Sequence, residues 1–283
     1  MITLKNEFIT AKINELGAEL KSLNACGTEY IWNGDPKYWA CSCPVLFPIC
    51  GGLKDDKFTF GGREWTLKKH GYARHKTFSV ESSGDTSAVF LSVSDEDTKA
   101  QFPFDYELRI IYTLSGKTLK IDYSVKNKSN GNMYFSIGSH EGYFTPEGVE
   151  EYDVLFPQKE TLERLTVDGN LLNGKAVPVI KESDTLPLKK EYFYDDALIF
   201  KGIKSRSVTL KNRNGGRSVT VDFPDDKYFL IWQNPGAPYV CLEPWSGIPD
   251  SVDSTGDIRE KEGIITLGGG CEYFHTHSIT VNL

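Results

Sequence analysis

The 283-residue chain lacks several features that would assign it at first sight. No apolar run approaches the ~20 residues of a membrane-spanning helix. No segment holds an i, i+3, i+4 apolar stripe over several turns, so long amphipathic helices are not expected. Positive charge is in deficit: 32 Lys and Arg against 39 Asp and Glu leave a net charge of −7. That balance argues against nucleic acid or an anionic membrane as the main partner. The start, Met1-Ile2-Thr3-Leu4-Lys5, has no basic stretch followed by a long apolar one, so no signal peptide is expected and a cytoplasmic location is. A Gly-x-Ser-x-Gly elbow is missing, which removes a common serine-hydrolase signature. The six cysteines, Cys26, Cys41, Cys43, Cys50, Cys241 and Cys271, fit no common zinc spacing. In a cytoplasmic chain they are expected to be reduced, buried and small-hydrophobic. Internal repeats, low-complexity linkers and shifts in composition are also absent, so residues 1–283 are expected to form one domain.

What is present reads as β-structure. Apolar residues alternate with polar ones at Ile9, Ala11 and Ile13, at Val89, Leu91 and Val93, and at Leu119, Ile121, Tyr123 and Val125. The pattern returns at Val219, Val221 and Phe223, and at Ile279, Val281 and Leu283. Period-2 alternation predicts strands with one face buried. Gly61-Gly62 and Asn214-Gly215-Gly216 stand between such runs and predict hairpin turns, where glycine accepts positive φ. Asp35-Pro36-Lys37-Tyr38-Trp39 predicts one short helix, with Asp35 capping and Pro36 at the first helical position. Thr161 to Lys190 is polar and turn-rich and is expected to be a long irregular excursion. The expected fold class is all-β, a large antiparallel β-sandwich.

Five clusters carry candidate chemistry. Gly138-Ser139-His140-Glu141-Gly142-Tyr143-Phe144 follows a strand-like run and sets one histidine between glycines, with aromatics behind it. Glycine permits close approach of a substrate, and an imidazole there is expected to titrate near neutral pH. Cys43-Pro44-Val45-Leu46-Phe47-Pro48 is a rigid apolar loop. Lys69-His70-Gly71-Tyr72-Ala73-Arg74-His75 places an arginine four residues after a histidine. Tyr194-Asp195-Asp196-Ala197 puts paired carboxylates before an apolar strand, a position equally suited to a turn. Leu242-Glu243-Pro244-Trp245 ends an apolar strand on a carboxylate, whose pKa is expected to be raised as a general base requires. His275 and His277 share one strand face; without a nearby acid or thiol at ligand spacing they are expected to be structural or at the surface.

His70-Gly71-Tyr72-Ala73-Arg74, Gly138 to Phe144 and Leu242-Glu243-Pro244-Trp245, in that order, resemble the aldose 1-epimerase (mutarotase) family, most closely its LacX-like branch. The resemblance covers nearly the whole chain and implies the galactose mutarotase-like supersandwich. It implies Glu243 as general base on the sugar's anomeric hydroxyl and His140 as general acid on the ring oxygen. It further implies His70, Arg74 and Asp196 as substrate-binding residues. Better-known galactose mutarotases carry an arginine in the loop matching Pro44 to Pro48; here that loop is uncharged, so their sugar specificity does not transfer. The expected partner is a small-molecule sugar, an aldohexose or its phosphate, met by a monomer or homodimer that needs neither cofactor nor metal. Lys54, Arg63, Lys68, Lys69 and Arg74 are candidates for holding a phosphate. Phe47, Tyr143, Trp232 and Trp245 are candidates for stacking on the sugar. Two other readings are a hexose 6-phosphate mutarotase and a non-catalytic carbohydrate-binding protein on the same fold.

Overall fold

The computed structural model describes residues 1–282, and Leu283 lies outside the described residues. A 13-stranded sheet dominates, and every pairing between named strands is antiparallel. One edge of this sheet runs Glu141–Phe144, Tyr239–Trp245, Tyr228–Trp232, Leu198–Lys201, then Tyr152–Asp168. The other end is a meander of Thr118–Asn127, Tyr106–Ser115, Ser87–Val93 and Ser79–Ser83. Ser207–Asn212, Ser218–Asp222 and Glu272–Val281 bridge the two. A four-stranded sheet from the N-terminus shares one apolar core with the large sheet: Leu4, Ile9 and Leu20 join Leu108, Ile121, Val221 and Val240. This is a sandwich in the sense read from the alternation.

Most alternating runs are strands with the expected face inward: Ile9, Ala11 and Ile13, Leu119 to Val125, Val219 to Phe223, and Ile279 with Val281. The glycine pairs also behave as expected. Phe60 pairs with Arg63 across Gly61 and Gly62, whose φ values of 61° and 73° suit a two-residue hairpin loop.

Four expectations are corrected. Val89, Leu91 and Val93 lie on a strand, but its buried face is Ala88, Phe90 and Ser92, because Phe90 is held in register between Val80 and Ile110. Asp35 to Trp39 makes one turn, not a helix. Asp35 Oδ1 does accept from the Lys37 N–H at 2.9 Å, but the chain is then drawn into extended contacts, with Cys43 N–H donating to Glu19 and Ser42 C=O accepting from Gly142. The polar stretch after Thr161 is regular: Tyr152–Asp168 and Leu171–Pro187 form a hairpin of two 17-residue strands. Register shifts between Leu155 and Val167 break its period of two, and its outer part is exposed, so alternation is not visible in the sequence. Finally, only Cys43, Cys50 and Cys241 are buried; Cys41 is half-buried, Cys26 and Cys271 are exposed, and all six are free thiols.

Candidate active site

Glu243 lies on Tyr239–Trp245, a strand whose seven residues are all buried because it is hydrogen-bonded on both sides, to Glu141–Phe144 and to Tyr228–Trp232. Alternation puts Cys241, Glu243 and Trp245 on one face. Directly across from Glu243 is Leu230, and across from Cys241 is Trp232. Glu243, Trp245, Leu230 and Trp232 line a cleft of about 380 Å³, within the ~300–1,000 Å³ range of small-molecule sites, and Cys241 lies beneath it.

His140 is the last residue before the neighbouring strand. The flanking Ser139 N–H donates to Pro244 C=O at 3.2 Å, and the Trp245 indole N–H donates to Ser139 C=O at 2.9 Å. The backbone beside His140 is thereby pinned to the strand that carries Glu243. Its Nε2 stands 3.4 Å from Glu243 Oε2. Trp39 lies against its ring at 4.9 Å between centroids, and Trp232 meets it edge-on at 5.6 Å.

The expected substrate-facing role of the flanking glycines is corrected: both are packing positions. A Cβ on Gly138 would fall 2.7 Å from the Trp245 ring, and one on Gly142 3.1 Å from Ser42 C=O. Tyr143 and Phe47 are core residues that do not line the cleft, whereas Trp232 and Trp245 do.

His70 lines the same cleft and is held in the left-handed region, with φ of 68°. A non-glycine residue held there is under strain. The next residue, Gly71, has φ of 65°, and a Cβ on it would lie 2.3 Å from Phe47 C=O, so glycine is required. His70 Nδ1 accepts from the Gly51 N–H at 3.2 Å. The imidazole therefore carries its proton on Nε2, as a fixed donor. His140 Nδ1 has no hydrogen-bond partner among the described residues, so its tautomer is set by the Nε2 contact with Glu243.

Arg74 and Asp196 line the same cleft. Arg74 donates to Lys69 C=O and to His75 Nε2, and meets no carboxylate among the described residues. Asp196 is half-buried and accepts from its neighbour's N–H, Ala197, at 2.6 Å through Oδ1. Asp195 beside it is 82% exposed and ion-pairs with Arg164 at 3.0 Å, which leaves Asp196 as the carboxylate free to face a ligand. Of the other proposed cations, Lys69 lines the cleft, while Lys54, Arg63 and Lys68 do not. Lys69 Nζ donates to Asn170 Oδ1 at 3.0 Å.

Electrostatics separates the two central groups. Glu243 is 1% exposed, and burial pushes its carboxyl well above the usual range; nearby Lys69 opposes this, while Glu141 and Asp196 add to it. His140 is 8% exposed, and burial first, then Lys69 and Arg74, push it down to about 3. The expectation of an imidazole titrating near neutrality is therefore corrected for the free protein: a desolvated ring beside two cations stays neutral. His70 is likewise pushed well down, by burial and then by His140, Lys69 and Arg74. The opposite shifts favour a protonated carboxyl facing a neutral imidazole, with one proton between two atoms 3.4 Å apart. Such a pair can give a proton at one point of a ring and take one at another.

Trp39, Val167 and Asn170 line the cleft and were not anticipated. Trp39 follows the Asp35 turn, and Asn170 sits at the tip of the long hairpin, where Asp168 pairs with Leu171. His275 and His277 are structural and fully buried, not at the surface. His277 Nε2 is 3.0 Å from Glu141 Oε1, His275 Nε2 is 3.3 Å from Asp226 Oδ1, and both rings lie against Tyr123.

The chain matches the Aldose 1-epimerase family over residues 1–280 and belongs to it. It is 32% identical over 280 residues to Protein LacX, plasmid, of Lactococcus lactis subsp. lactis, covering 94% of this chain and 93% of that protein. It superposes on a galactose mutarotase related enzyme from Lactobacillus acidophilus with a TM-score of 0.93 at 33% identity, covering 100% of this chain and 97% of that one. A galactose mutarotase-like protein from Lactobacillus casei gives 0.94 at 29% identity, with both chains fully covered. The architecture is accordingly the galactose mutarotase-like supersandwich. Among the described residues, no helix is long and apolar enough to cross a membrane.

Proposed function

We propose that this protein is an aldose 1-epimerase that interconverts the α and β anomers of a hexose by acid–base ring opening. One observation carries the reading: a buried carboxyl and a buried imidazole, shifted in opposite directions, face each other at 3.4 Å in a sugar-sized cleft. A cyclic aldose opens when a proton leaves O1 and one reaches O5. Rotation about C1–C2 and closure on the other face return both protons. Atoms and electrons balance within the sugar and the pair, with no redox change and no group transferred.

In this reading Glu243 takes the O1 proton and His140 gives one to O5, each typically contributing ~10²–10⁴-fold. The proton that rests on Glu243 passes to His140 across their contact as the sugar binds, and Lys69 favours the resulting carboxylate. His70, with its proton fixed on Nε2, donates to a sugar oxygen, while Asp196 accepts from hydroxyls. Trp39, Trp232 and Trp245 supply apolar ring faces, and holding the sugar against them adds an orientational contribution.

A second reading is favoured by Lys69 and Arg74, two cations lining the cleft without carboxylate partners among the described residues. They suit a hexose 6-phosphate, with the same chemistry at C1. Polarimetry of freshly dissolved α-glucose, α-galactose and glucose 6-phosphate tests both. Acceleration of any of them supports epimerisation, and a preference for the phosphate selects the second reading. Binding without acceleration of any sugar would leave a carbohydrate-binding protein.

A further inference from the structure

Cys241 is a buried thiol beside the two central groups, and the ring-opening chemistry leaves it without a role. One donor atom each from His140, Cys241 and Glu243 lies within 4.8 Å of the other two. We propose that these three residues form a site for a thiophilic divalent cation, zinc in particular, whose occupancy shuts off the sugar site.

The geometry is close to what zinc needs. Bound at ~2.0–2.3 Å, the donors of a tetrahedral ion stand roughly 3.3–3.8 Å from one another. His140 Nε2 and Glu243 Oε2 already stand 3.4 Å apart. Closing Cys241 onto them takes a shift on the order of 1 Å, within reach of a side-chain rotation. Glu243 Oε1 is buried with no hydrogen-bond partner, so a ligand atom is available without breaking an existing contact.

Charge favours the ion as well. Burial disfavours the charged form of each residue taken singly. A dication with one thiolate, one carboxylate and one neutral imidazole sums to zero, so the dry site gains no net charge. Binding releases the thiol proton and the pair's proton to solvent, so zinc affinity rises with pH. A thiolate among the donors selects zinc and other soft ions over magnesium or calcium. The ion occupies the atoms assigned to O1 and O5 of the sugar; this competition rests on the epimerase reading, whereas the binding does not.

The test is calorimetric titration of the full chain, stripped of metal, with zinc chloride, alongside polarimetry with and without zinc. One zinc per chain is expected, with loss of mutarotation that a chelator restores. Cys241→Ala should weaken zinc binding by at least ~10-fold, the lower end of what disturbing a metal site costs, and keep the zinc-free rate near wild type. Cys241→Ser serves if the alanine variant does not fold. Zinc affinity unchanged in the Cys241 variants, or no binding by the wild type, would overturn the proposal. Cysteine-dependent zinc binding by a protein that turns over no sugar would uphold the site and sink the epimerase reading instead.

Discussion

Replacing Glu243 by glutamine is the sharpest perturbation the site offers. The amide matches the carboxyl in shape, and the position is 1% exposed on a strand paired on both sides, so packing is retained. Burial favours the uncharged carboxyl, so a neutral amide suits the same surroundings. On the proposed mechanism it removes the exchangeable proton and the base that receives O1–H. A general base contributes ~10²–10⁴-fold, or about 2.7–5.4 kcal/mol at 1.36 kcal/mol per tenfold. Sugar affinity should shift far less, since one altered hydrogen bond costs roughly 0.5–1.5 kcal/mol. The assay is polarimetric kcat for the best aldose, with circular dichroism to check the fold and calorimetry for sugar binding. A folded Glu243→Gln protein keeping more than about a tenth of wild-type kcat would refute the assignment, because that loss falls below the ~10²–10⁴-fold typical of a general base.

His140→Asn should abolish ring opening while leaving sugar affinity within about an order of magnitude; an active variant would move the acid role to His70, 5.7 Å away between ring centroids. In the wild type, kcat/KM should fall as pH rises through the raised Glu243 value, because the proton between the facing Oε2 and Nε2 atoms is then lost. On the acid side it should hold until the region of His140, about 3, so a loss of rate between pH ~7 and ~5, where an ordinary histidine protonates, would contradict the protonation scheme. Gly71→Ala should destabilise the protein by about 1–3 kcal/mol for the left-handed backbone alone, and by more for the 2.3 Å approach to Phe47, read as a lowered denaturation midpoint. Exhaustive chelation should leave mutarotation intact; loss restored by zinc would mean that the ion assists the reaction.

The strands and the central pair were legible in the sequence for different reasons. Strands such as Thr118–Asn127 are half-buried, so their alternation is visible in the residues themselves. Glu243 and His140 stood out because each interrupts a run that is otherwise apolar or glycine-flanked. The long hairpin was not legible, since bulges and two-sided exposure erase its period. The turn at Asp35 was mistaken for a helix because its local capping signals are real and tertiary contacts of Ser42 and Cys43 override them. Gly138 was misread for a related reason: in sequence, room for a substrate and room for a packed tryptophan look the same. The protonation state of His140 depends on Lys69 and Arg74 approaching it in space, which no local motif records.

At the centre of this account is the single proton between His140 Nε2 and Glu243 Oε2, which the opposite shifts of the two groups favour on the carboxyl in the free protein. Nitrogen-15 NMR of the His140 ring, followed against pH with the His140→Asn variant for assignment, reads its location directly. The ring should remain neutral from about pH 8 down to about pH 4, consistent with a value pushed down to about 3. An imidazolium forming with a midpoint near the ordinary ~6.5 would contradict it.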